Sequence, residues 1–223
     1  MGGRGANSGY GGGMSTGNNG RGPSRFIDKT AKYKGMTMHQ FENAIRDKKV
    51  EYIGIYDKDG KLIVAGTSEN SHAVAIPRHH PDFDKAYTLT HNHPYAPSDD
   101  PERMIGGTFS TADVRNHIKL DLKGETRAVS NGPNENTYIF RAKPGVKQDT
   151  AAFLKHADQA DASWRAAARL TVKSAEDRLA KQKRALPTRR ENQIILGVAK
   201  HAWKSDEVAK SGYEYVEIKK KHW

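Results

Sequence analysis

Residues 50–67, "VEYIGIYDKDGKLIVAGT", constrain the fold more tightly than any other stretch of this chain. Apolar, β-leaning runs flank Lys58-Asp59-Gly60, a tripeptide suited to a tight turn, so the segment is expected to fold back as a β-hairpin. "ETRAVSN" and "NTYIFRAK", joined by the turn-forming "GPNEN", read as a second hairpin. Short strands are expected at 72–77 and 86–92, and a last one in "YEYVEIK" after Gly212.

Helical spacing appears between and after these runs. A helix is expected at about 36–47, with Thr37 as N-cap and Met38, Phe41, Ala44 and Ile45 as its apolar stripe. Ser110 opens another over 110–122. From about 148 the helical period takes over: Phe153, Ala157, Trp164, Ala168, Val172, Ala175 and Leu179 share one face of a long helix that must end before Pro187. A second helix is expected at 189–209, with Ile194, Ile195, Val198 and Ala202 inward. The fold class is therefore α/β of the α+β type, a mixed sheet flanked by helices with a C-terminal helical extension.

The first 24 residues hold 10 of the chain's 21 glycines and almost no large apolar side chains. Such a segment buries too little surface to offset its ordering entropy, and it reads as a flexible leader. It carries no GxxxxGK[ST] and follows no strand, so it is not a phosphate-binding loop. Three parts follow from this: a leader at 1–25, a compact region at 26–145 and a basic helical extension at 146–223. Of the net charge of +11, +9 lies from Arg141 onward, where 19 Lys/Arg face 10 Asp/Glu. A solvated basic surface is one reading of that excess, and contact with nucleic acid or an acidic partner is the other. No run approaches the roughly 18–20 apolar residues of a membrane span. With no secretory signal pattern either, a cytoplasmic protein without a membrane partner is expected.

The chain has no cysteine, so a transition metal could be held only by His, Asp or Glu. "THNHP" places His91 and His93 two apart at the end of a strand, where i and i+2 share a face. Two imidazoles need a third protein ligand. Asp113 supplies it from the first turn of the helix that Ser110 caps. Two His and one carboxylate leave a fourth position open, which is the arrangement of a catalytic zinc site rather than a structural one. Glu51 shares strand parity with Ile53 and Ile55, and a carboxylate on an apolar face is costly without a partner. It is the candidate general acid/base, and Ser110 the candidate donor to an oxyanion. Each feature alone has an ordinary reading: a turn with two histidines, a capped helix, an edge-strand charge. Their order along the chain favours the combined one.

That order, Glu51, then His91 and His93, then Ser110 and Asp113, resembles the motif of the JAB/MPN family of JAMM metalloproteases, most closely its RadC-like and phage-encoded branches. The likeness covers about 36–143. It implies a zinc hydrolase that cleaves peptide or isopeptide bonds, with His91, His93 and Asp113 on Zn²⁺, Glu51 as general acid/base and Ser110 assisting the oxyanion. It also implies a protein or peptide substrate, such as a ubiquitin-like or virion protein, met in a host cytoplasm. The "MGGRGANSG" leader resembles the start of some phage head-morphogenesis proteins. The loop "YAPSDDPERMIGG" is longer than the family's usual spacing and is a candidate substrate-contacting insertion, and Glu42 is a second candidate for the acid/base. The alternative is a non-catalytic JAB-like scaffold or virion-associated module whose basic tail contacts nucleic acid or a capsid protein. A His-Asn-His nuclease is suggested only by the letters, since those enzymes separate the named residues along a ββα unit.

Overall fold

A computed structural model of the protein describes residues 25–71, 73–94, 108–131 and 136–219. The leader and the "YAPSDDPERMIGG" loop lie outside these residues. The fold is α+β, a seven-stranded mixed sheet flanked by helices. In chain order the elements are β1 (Ile27–Asp28), α1 (Thr30–Tyr33), α2 (Met38–Arg46), β2 (Tyr52–Tyr56), β3 (Leu62–Thr67), β4 (Thr88–His93), α3 (Thr111–Lys119), β5 (Glu125–Ser130), β6 (Thr137–Ala142), α4 (Thr150–Ala180), α5 (Thr188–Trp203), α6 (Asp206–Lys210) and β7 (Tyr213–Ile218), with a 3₁₀ turn at Phe83–Lys85.

The sheet order is β1-β3-β2-β4-β5-β6-β7, and β4–β5 is its parallel pair. Parallel neighbours need a crossover, and α3 provides it. The first hairpin forms as expected around Gly60, whose φ of +77° suits a glycine. Of the strand expected at 72–77, the described residues 73–77 form none: Ala75 makes an isolated bridge, and its N–H donates to the Ser68 hydroxyl instead of a ladder carbonyl. Pro77, which has no N–H, prevents the run from extending. The helix expected at 189–209 is two helices, because Ser205 is extended and Asp206 and Glu207 begin a new first turn.

Alternation sorts the sheet into two faces. Ile53, Ile55 and Leu89 face one layer with Val64, Val74, Ile76 and Leu122. Ala128, Tyr138, Phe140 and Tyr213 continue that face and pack on α3–α6 through Val114, Phe153, Ala157, Trp203 and Val208. The other face carries Tyr56, Ala65 and Val129 against Tyr33 of α1 and Phe41 and Ile45 of α2. Gly54 lets α2 come close, since a Cβ there would lie 2.5 Å from the Phe41 ring.

The segment after residue 145 returns to the same sheet. β7 pairs with β6 from Thr137↔Ile218 to Ala142↔Tyr213, and the Trp203 indole N–H donates to the Phe109 carbonyl at 3.0 Å. Among the described residues no helix is long and apolar enough to cross a membrane.

Candidate metal centre

The centre is assembled from three elements whose geometry is local. β4 is buried along its whole length, and its alternation turns Leu89, His91 and His93 to the α3 side of the sheet. Ser110 caps α3: its hydroxyl accepts from the Asp113 N–H at 3.3 Å, and Asp113 Oδ2 accepts from the Ser110 N–H at 2.7 Å. This reciprocal box fixes the Asp113 carboxylate at the start of the helix, aimed back toward β4.

His91 Nε2 lies 2.8 Å from His93 Nε2, and Asp113 brings Oδ1 to 3.4 Å from His91 Nε2 and Oδ2 to 3.6 Å from His93 Nε2. All three residues are fully buried, and one ligand atom from each falls within 4.8 Å of the others. Ligand bonds of about 2.0–2.2 Å give tetrahedron edges of about 3.3–3.6 Å, and the two His–Asp separations, each to a different Asp113 oxygen, fall at that length. The ring–ring distance is shorter, a hydrogen-bond contact between the imidazoles. Two imidazole nitrogens and a carboxylate oxygen are a donor set suited to zinc and to other first-row divalent metals. Burial works to raise the Asp113 carboxyl, but His91 and His93 override it and hold it well below the usual carboxylate range. Burial also pushes His91 below its ordinary value against the pull of Asp113, which favours the neutral, metal-binding imidazole.

Glu51 stands directly before β2. The β2–β4 ladder ends on Ile53 paired with His91, two residues from Glu51, and the charge of Asp113 acts on the Glu51 carboxyl. Its backbone is pinned from both sides: the N–H donates to Asn70 O at 2.7 Å, and the carbonyl accepts from the Thr67 hydroxyl at 2.6 Å. The side chain is fully buried, and neither carboxylate oxygen has a hydrogen-bond partner among the described residues. Burial, and secondly the charge of Asp113, push its carboxyl well above the usual value.

Ser110 is at the centre too, with its hydroxyl engaged. Oγ donates to Asp113 Oδ2 at 2.8 Å while accepting the Asp113 N–H, so the role visible here is to hold a ligand. Glu42 is elsewhere. Its carboxylate accepts from Thr90 Oγ1 at 2.9 Å and from Arg127 Nε at 2.6 Å, on the sheet face opposite the histidines. Asn92, the middle letter of His-Asn-His, has a role that the sequence does not announce. Its Oδ1 accepts the Tyr52 N–H at 2.7 Å and its Nδ2 donates to Val50 O at 3.1 Å, clamping the backbone on both sides of Glu51. Alternation alone would have put Asn92 on the far face, but its partners depend on strand register.

No protein-family model, no curated protein and no solved structure matches the chain.

Proposed function

We propose that this protein is a zinc-dependent hydrolase of the JAMM metallopeptidase kind, cleaving a peptide or isopeptide bond of a protein substrate. His91, His93 and Asp113 would hold the ion, with Ser110 fixing the Asp113 carboxylate. The observation that carries the reading is Glu51, a fully buried carboxyl with no hydrogen-bond partner among the described residues, beside three potential ligands. A chain gains nothing in stability from such a group, and an unpaired buried carboxyl is retained where its chemistry is used. Bound there, zinc would supply a Lewis acid that acidifies water and polarises a carbonyl.

The remaining work falls to the chain. Glu51 takes a proton from the attacking water and returns it to the leaving nitrogen as the C–N bond breaks. When a cation offsets the charge of Asp113, one of the two causes of the raised Glu51 carboxyl is removed, bringing it toward the range where a group both accepts and gives protons. The low-dielectric surroundings strengthen each of these interactions. An oxyanion role for Ser110 requires its hydroxyl to exchange Asp113 for the substrate. The resemblance to phage-encoded members suggests a virion or ubiquitin-like substrate in a host cytoplasm.

Metal analysis of the purified full chain tests this together with turnover of an isopeptide-linked reporter. Near-stoichiometric zinc is expected, lost in His91→Ala and in Asp113→Ala. Glu51→Gln should keep zinc and lose turnover. Zinc retained in Asp113→Ala, or normal turnover by Glu51→Gln, would overturn the assignment.

A further inference from the structure

A second site lies at the other end of α3. The α3–β5 and β6–α4 connections border a cleft of about 470 Å³, within the size range of small-molecule sites. Ile118, Leu122 and Pro144 give it an apolar wall, and His117, Lys143 and Thr150 line the rest.

His117 is the informative group. It is only 3% exposed, and its Nδ1 lies 2.9 Å from the Thr126 hydroxyl. Thr126 is fully buried and its hydroxyl makes no other hydrogen bond among the described residues, so its proton is satisfied only by donating to Nδ1. Nδ1 is then the acceptor and Nε2 carries the hydrogen. That N–H has no protein acceptor among the described residues, on a ring that lines the cleft. A donor turned to the cleft from an otherwise buried ring is placed to serve a ligand.

The charges around it favour an anion. Asp121 also lines the cleft, but Lys123 neutralises it through contacts of 2.6 and 2.7 Å. Lys143 has no carboxylate partner among the described residues and leaves the cleft with a net positive charge. Thr150 is the first residue of the 31-residue α4, so its N–H has no intrahelical acceptor and sits at the positive end of the helix.

We propose that this cleft binds a small organic anion, a carboxylate or phosphate monoester with an apolar body. The head takes hydrogen bonds from His117 Nε2, Lys143 Nζ and the Thr150 N–H, and the body lies on Ile118, Leu122 and Pro144. The site does not depend on the metal reading.

Calorimetric titration of the full chain with phenyl phosphate, benzoate and benzyl alcohol tests it. At least one anion should bind saturably, and the neutral alcohol more weakly by about tenfold, the worth of one hydrogen bond to a charged group. Lys143→Glu, on the surface, should weaken the anion by a similar factor. Thr150→Pro, tolerated at a first helical position, removes one donor and should also weaken it. Binding should survive in His91→Ala. Absence of saturable anion binding, equal binding of the alcohol, indifference to both cleft variants, or loss in His91→Ala would each overturn the proposal, the last by moving the anion to the metal centre.

Discussion

Asn92 accepts the Tyr52 backbone N–H at 2.7 Å, so the residue between the two buried histidines fixes the chain one residue after the buried Glu51. β4 thus serves the centre from both faces. Its odd-numbered side chains face Asp113, and Asn92, turned the other way, holds the segment that carries Glu51.

Asn92→Ala should therefore separate positioning from metal binding. The Tyr52 N–H and the Val50 carbonyl lose their partner, at a cost of about 1–3 kcal/mol in unfolding free energy. Zinc content should be unchanged while turnover falls. Loss of zinc in this variant would show that the clamp shapes the ligands and not Glu51 alone.

Glu42 and Glu51 are both buried glutamates, and they should respond in opposite ways. Glu42 is paired with Arg127, and removing one member of a buried pair costs about 3–5 kcal/mol. Glu42→Ala is expected to unfold at lower denaturant while its remaining folded fraction keeps zinc and turns over. A turnover loss in Glu42→Ala matching that of Glu51→Gln, at equal folded fraction, would reassign the acid/base.

His117 gives the fold a defined acid sensitivity. Burial pushes its pKa down from 6.5 to about 4, with Asp121 pulling weakly the other way. Between those values the unfolded chain binds a proton that the folded one does not, so stability falls as pH falls through that window. The lost stabilisation amounts to about 3 kcal/mol at 1.36 kcal/mol per unit. His117→Gln should flatten the stability curve between pH 6.5 and 4. Parallel curves for the two proteins would remove His117 as the cause.

Trp203 ties the C-terminal helices to the segment that leads into the Ser110 cap. Its ring is buried in the main core, and its N–H holds the carbonyl of Phe109, the residue before the Ser110 cap. Trp203→Ala should cost roughly 3–5 kcal/mol by denaturant unfolding. Trp203→Phe, which keeps a ring but loses the N–H, should cost less and still weaken zinc retention. An unchanged stability in Trp203→Ala would mean that the C-terminal segment is dispensable to the core.

The sequence by itself determined what is written within a few residues. Lys58-Asp59-Gly60 sets the first hairpin, Thr37 and Ser110 set two helix starts, and the alternation in "LTHNH" puts both histidines on one face. Turn chemistry, capping and the two-residue period act over such distances, so they can be read without knowing the fold. Tertiary structure decided the rest. The β2–β4 register pairs Ile53, two residues after Glu51, with His91, the packing of α2 carries Glu42 to the other face, and β7 returns from the far end of the chain to pair with β6. It also split the expected 189–209 helix at Ser205 and left 73–77 without a strand, because Ser68 met a backbone donor that periodicity alone could not place. Those outcomes depend on which distant groups satisfy each buried donor, acceptor and charge. That accounting closes only when the whole chain is folded.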